Sequence, residues 1–251
     1  MVTTATNLGS LDSIPQARWD MLSTKRIFFG HQSVGADVID GINDITNQSP
    51  RIRLSIRHTR APEDFARPVF AESNIGKNGD PKSKIDDFRK VMESGVGSSV
   101  DIAFFKLCYV DIGPKTDVDA LFAYYKTVMD GLRAEFPKVR FVHSTAPLTR
   151  MDSELKLAIK KLLGRDGGAA ANLKRMAYNR MLVGTYGSEG NVFDIARYES
   201  TLSDETRVVH QIDGRDCLGL APGYTNDGGH LNRTGRAIVA KELLQLLQAT
   251  P

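Results

Sequence analysis

The stretch from Arg26 to Asn47 constrains the fold more than any other part of the chain. Arg26-Ile27-Phe28-Phe29 is a short apolar run closed by Gly30, as a buried strand would be. After His31-Gln32-Ser33 the pattern changes: Val34, Val38, Ile42 and Ile45 recur at three- and four-residue spacing, the signature of a helix with one buried face. A strand that turns abruptly into a helix leaves Ser33 at or near the helix N-terminus. Free N–H groups and the positive end of the helix dipole lie there, a setting that favours negative charge. Ser33 can cap this helix or do chemistry on it.

The same alternation repeats along the chain. Leu11 to Thr24 reads as an amphipathic helix leading into the first strand, and Ile52 to Ile56 alternates as an edge strand does. Thr59 to Pro81 is rich in Pro, Gly, Asn and Asp and reads as a long loop, with a short strand near Val69-Phe70. Helix is expected from Lys84 to Met92, strand from Val100 to Phe105, helix from Val118 to Phe136 and strand from Val139 to Val142. Glu154–Leu163 and Ala169–Tyr186 follow as helices around an Arg165–Gly168 turn. A strand over Val192–Ile195, a hairpin near Val208-Val209 and Ile212, and a last helix over Leu231–Leu247 complete the pattern. Strands alternating with helices imply a mostly parallel sheet covered on both faces, a three-layer α/β/α sandwich. Neither a linker nor a repeat divides the chain. Residues 1–25 are expected to be a lead-in and helix packed on a single domain spanning 26–251. In such sheets ligands gather at the carboxyl ends of the strands, where the turns after Phe29 and Phe105 and before Leu231 would open.

Composition removes several function classes. Lys and Arg total 33 against 30 acidic residues, a net charge of +3 with no basic stripe, which argues against a nucleic-acid partner. No apolar run reaches the length of a membrane span, and no secretory h-region is present. As written the chain reads as cytoplasmic; with a signal removed it would be secreted or periplasmic. The two cysteines, Cys108 and Cys217, suggest neither zinc nor a disulfide framework. No His/Asp/Glu cluster has zinc-like spacing, so neither metal nor cofactor is expected. The sequence leaves the oligomeric state open.

Ahead of the last helix stands Asn226-Asp227-Gly228-Gly229-His230-Leu231-Asn232. A carboxylate three residues before an imidazole, across a Gly-Gly bend, can reach the ring within one turn of chain. It would hold the ring in one tautomer and stabilise its positive form, leaving the far nitrogen to take a proton from a serine. An isolated hydroxyl is a poor nucleophile and needs that help. Alone, the pair reads first as a helix cap and a first-turn His. A glycine-punctuated loop, Asn74-Ile75-Gly76-Lys77-Asn78-Gly79-Asp80, could present an N–H to an oxyanion beside that of Ser33. Two other readings of the opening turn fail. Gly30 and Gly35 are spaced as in a P-loop, but Ala36-Asp37 stands where Lys-Ser/Thr is needed. The Gly-x-Ser-x-Gly elbow is absent as well.

In this order the three pieces resemble the SGNH (GDSL-type) hydrolase superfamily. Phe29-Gly30-His31-Gln32-Ser33-Val34 matches its first block; Asn74, Gly76, Gly79 and Asp80 its second; Asp227 and His230 its last. The resemblance spans almost the whole chain and implies a flavodoxin-like α/β/α fold. It also implies ester hydrolysis without a metal, through an acyl-enzyme on Ser33, with His230 as general base and Asp227 orienting it. Ser33 and Gly79 would supply oxyanion N–H groups. The implied substrate is a small acyl ester, with O-acetyl groups on a carbohydrate suggested by family habit. Two departures stand out. The first block has Gly-His-Gln-Ser for Gly-Asp-Ser, and the third, Phe105-Lys106-Leu107-Cys108-Tyr109-Val110-Asp111, lacks the Asn that donates to the oxyanion. Lys106 and Gln32 are the candidate substitutes, and His31 stands on the same rim as a candidate for substrate contact. An O-acyltransferase and a catalytically weak carbohydrate-binding module are the alternative functions on the same fold.

Overall fold

The computed structural model describes residues 9–152 and 168–249. Its strands are β1 (Arg26–His31), β2 (Ile56–His58), β3 (Val69–Asn74), β4 (Ile102–Phe105), β5 (Arg140–Ser144) and β6 (Val192–Phe193), followed by a hairpin of β7 (Val209–Ile212) and β8 (Arg215–Leu218). The first six form one sheet in the order β2-β3-β1-β4-β5-β6, parallel at every pairing. With the three-residue edge strand β2 set aside, the order is the flavodoxin-like one, in which the chain reverses direction across the sheet beside β1. That reversal opens a crevice at the carboxyl end of β1, where Ser33 follows.

Side chains alternate across each strand, so the sheet divides the core in two. Ile27, Phe29, Phe104 and Val142 pack with Trp19, Val38, Ile42, Val239 and Leu243. Phe28, Ala103, Phe105 and Phe141 pack on the other side with Ile85, Phe88, Tyr125, Met129 and Tyr178. Helices Gln16–Ser23, Val34–Gln48 and Arg233–Gln248 thus cover one face, while Pro81–Val91, Val118–Glu135 and Ala169–Tyr186 cover the other. The protein is a three-layer α/β/α sandwich around a parallel sheet. Among the described residues no helix is long and apolar enough to cross a membrane.

Several expectations need correction. The edge strand lies at Ile56–His58, not Ile52–Ile56. Ile52 is buried against Trp19 and its neighbours, and pairing with β3 begins only at Ile56. Val69–Asn74, expected to be a short strand in a long loop, is a central strand paired on both sides. Pro15 divides the expected Leu11–Thr24 helix into a turn and the Gln16–Ser23 helix, since proline suits a helix start and not its interior. Strand β6 stops at Phe193, and Asp194 caps a short helix, Ile195–Glu199. The Glu154–Leu163 helix and most of the Arg165–Gly168 turn lie outside the described residues.

Candidate active site

The first turn after β1 is strained. Ser33 has φ +55° and ψ −117°, a conformation costing an ordinary residue about 1–3 kcal/mol unless its surroundings enforce it. Four hydrogen bonds do so. Gln32 Nε2 donates to the carbonyls of Ile75 at 2.7 Å and Gly76 at 2.6 Å, tying the turn to the loop after β3. The Gly35 N–H donates to the Gln32 carbonyl at 3.1 Å, and that of Ala36 to the Ser33 carbonyl at 2.7 Å. Gly35 must be glycine, because a Cβ there would stand 2.3 Å from the Cβ of His31.

The Ser33 side chain makes no cap bond to its helix. Its Oγ instead lies 2.6 Å from Nε2 of His230. On the far side of the ring, His230 Nδ1 lies 2.7 Å from Oδ2 of Asp227. Oδ1 of Asp227 accepts the N–H groups of Gly229 and His230, both at 2.8 Å. These bonds, led by that of Gly229, hold the Asp227 carboxyl well below the usual carboxylate range. The Gly-Gly bend is enforced as well. Gly228 has φ +92°, and a Cβ on Gly229 would stand 2.7 Å from the Tyr109 hydroxyl. The Arg150 N–H donates to the Gly228 carbonyl at 2.8 Å, and the Asn232 N–H to that of Tyr224 at 2.8 Å. The two ends of the chain thereby bring Ser33, His230 and Asp227 into one line of hydrogen bonds, with His230 and Asp227 about half exposed.

The segment after β4 walls the site. The Tyr109 ring meets His230 edge-on with centroids 5.8 Å apart. Arg175 donates from Nε to the Tyr109 carbonyl at 2.9 Å, with its guanidinium 5.9 Å from the ring centroid. Asp111 is the joint of this wall. It accepts from the Cys108 N–H at 2.6 Å, the Gly79 N–H at 2.8 Å and Lys84 Nζ at 2.7 Å, and the Lys84–Asp111 pair is wholly buried.

Four sequence-predicted residues sit otherwise than expected. The Gly79 N–H, expected at the oxyanion, is donated to Asp111. Both hydrogens of the Gln32 amide are used on Ile75 and Gly76, so it has none left for an oxyanion. His31 is 3% exposed and faces Glu72, with Nε2 2.8 Å from Oε2. Lys106 is fully buried, with Nζ 3.3 Å from Cys108 Sγ and 3.4 Å from the Leu107 carbonyl, and burial pulls its ammonium below the ordinary range. Neither His31 nor Lys106 reaches the surface of the site. The Ser33 N–H has no hydrogen-bond partner among the described residues and remains open at the helix N-terminus. Among the described residues no group of three or more His, Cys, Asp or Glu could hold a metal ion.

The sequence reading missed Lys84 and Tyr109. Lys84 stands four residues before Phe88, on the buried stripe of its own helix, and a cation there signals a buried partner. Tyr109 carried no periodic signal, because its segment is an irregular loop and a single 3₁₀ turn.

No family model matches the chain, and no curated protein matches it. Solved structures do. One, named for a GDSL-like lipase from Parabacteroides merdae, aligns with TM-score 0.56 and 10% identity over 91% of this chain and 99% of that one. A second, named for a platelet activating factor from Streptococcus pneumonia, aligns with TM-score 0.52 and 14% identity over 92% and 90%. A member of the lipolytic G-D-S-L family from Veillonella parvula aligns with TM-score 0.50 and 14% identity over 87% and 95%. The chain has the fold of these SGNH-type proteins.

Proposed function

We propose that this protein is a serine esterase that cleaves a small acyl ester through an acyl-enzyme on Ser33. The observation that carries this reading is the line Ser33 Oγ–His230 Nε2, 2.6 Å, and His230 Nδ1–Asp227 Oδ2, 2.7 Å. In the first step Ser33 Oγ attacks the ester carbonyl while His230 Nε2 takes its proton. The carbonyl π electrons move to oxygen, and Asp227 stabilises the imidazolium. The tetrahedral intermediate collapses as His230 returns the proton to the leaving alkoxide. Water then attacks the acyl-enzyme with His230 again as base, releasing the acid and restoring Ser33. The Ser33 N–H, at the positive end of the Val34–Gln48 helix, meets the oxyanion. The lipolytic names of the neighbours at TM-score 0.50 and above support ester chemistry. The acyl group is small in this reading, and an O-acetyl group on a carbohydrate is a substrate to test.

A fluorophosphonate probe tests it. The probe should phosphonylate the wild type on the peptide carrying Ser33, as read by mass spectrometry, and leave Ser33→Ala unlabelled. Absence of label on the folded wild type, or label on another serine, would overturn the reading.

A further inference from the structure

The nucleophile's helix carries three acids on one side, Asp37, Asp40 and Asp44, facing the Arg233–Gln248 helix. Two are matched by a cation. Arg236 donates to Asp44 from Nε at 3.0 Å and from Nη2 at 2.7 Å, and to Asp40 from Nη1 at 3.3 Å. Asp37 has no ion pair among the described residues. Its Oδ2 accepts the N–H of Leu231 at 3.0 Å, the residue next to His230. Burial pushes its carboxyl above the ordinary range, with a smaller push from Asp40, while the Leu231 N–H bond and then His230 and Lys106 pull it down.

We propose that Asp37 is a second carboxylate of this site, a positioning residue that clamps the His230 loop to the nucleophile's helix and faces the imidazolium formed during acyl transfer. The inference rests on the esterase reading above for its catalytic consequence. Its physical basis is differential stabilisation. A partly buried carboxylate without a cation is poorly compensated while His230 is neutral. When the ring takes the Ser33 proton, the compensating charge appears beside it. The interaction is therefore stronger in the transition state than in the ground state, which is the condition for raising kcat and not merely binding. The clamp acts in parallel. Asp37 lies one turn beyond Ser33 on the same helix, so its bond to Leu231 fixes the base relative to the nucleophile. A fixed separation is what proton transfer between the two requires.

Among the described residues, groups from several elements approach His230. Asp227 comes from its own loop and Ser33 from the turn after β1. Tyr109 comes from the segment after β4, and Asp37 from the nucleophile's helix through its bond to the Leu231 N–H. Arg150 touches the loop through its backbone N–H.

Asp37→Asn keeps an acceptor for the Leu231 N–H and removes the charge, whereas Asp37→Ala removes both. The His230 ring can be followed by NMR in 13C-histidine-labelled protein, its signal assigned by loss in His230→Gln. In Asp37→Asn the midpoint of that titration should move to lower pH by about half a unit or more. Its kcat on p-nitrophenyl acetate should fall about three- to tenfold with little change in KM. Asp37→Ala should show the same titration shift and a larger loss of kcat. An unmoved midpoint in folded Asp37→Asn would overturn the inference, whether or not kcat falls. The NMR arm needs no turnover, so failure of the esterase reading, seen as an unlabelled wild-type Ser33, is distinguishable from failure of this one.

Discussion

Single side chains in this protein spend folding free energy on geometry at the site. Ser33 is held at positive φ, and the bonds of Gln32 to the loop after β3 and the packing of Gly35 on His31 over-determine that conformation. Asp111 and Lys84 form a wholly buried pair that joins the loops after β3 and β4. Breaking such a pair costs about 3–5 kcal/mol, because it leaves an uncompensated charge. Glu199 is the complementary case. It is fully buried, its Oε1 accepts the Leu148 N–H, and its Oε2 has no partner among the described residues. Burial raises its pKa from 4.5 to about 8, against the pull of the Leu148 N–H bond and then of Lys106 and Arg175. Between those two values the folded chain keeps the proton and the unfolded chain releases it, so this residue lowers stability as pH rises through the window. Glu199→Gln keeps an acceptor for Leu148 and cannot ionise. The Tm of Glu199→Gln relative to wild type should therefore climb between pH 5 and pH 8, reaching the equivalent of a few kcal/mol at order-of-magnitude precision. A constant difference in Tm across that range would count against a buried, titrating Glu199.

Two helices set the distance between Ser33 and His230. Val34–Gln48 begins at Ser33, and Arg233–Gln248 begins just after His230. They approach closely at Gly41, where a Cβ would stand 2.4 Å from the Arg236 carbonyl oxygen and 2.8 Å from the Ala240 Cβ. Gly41→Leu must push them apart. Overpacking of this kind costs about 1–3 kcal/mol, which a denaturant midpoint would register. The same displacement should lower kcat by about tenfold or more through misplacement of His230, with KM less affected. Unchanged kcat in a destabilised variant would separate the helix contact from the site. Both helices were legible in the sequence, because their apolar residues repeat at the helical period. Strands β1, β4 and β5 were legible as apolar runs. Strand β3 was legible only at Val69-Phe70, because its carboxyl half, Glu72-Ser73-Asn74, is polar where it meets the site and the His31–Glu72 pair. Its sheet role comes from pairing on both sides, which a local pattern does not encode.

At the scale of the molecule, the reversal of strand order beside β1 gathers the turn after β1, the loops after β3 and β4 and the segment before the last helix on one rim. Alternating periodicity was enough to expect that rim. The order of Ser33, the Asn74–Asp80 loop and the Asp227/His230 pair was enough to propose which residues meet there. What the sequence left hidden was the use of individual hydrogens. Gly79 and Gln32 carry donor types suited to an oxyanion, yet their N–H groups are bonded to Asp111, Ile75 and Gly76. Such commitments depend on contacts between loops far apart in the chain. The opposite case is the acid stripe Asp37, Asp40 and Asp44, whose helical spacing is plain in the sequence while the pairing that leaves only Asp37 without a cation is visible only in three dimensions. The account stands or falls on Ser33 as a nucleophile. The direct measurement is steady-state hydrolysis of p-nitrophenyl acetate by wild type and by Ser33→Ala, each shown to be folded. Wild type should turn over with a kcat at least about a thousandfold above that of Ser33→Ala; equal rates for the two proteins would contradict it.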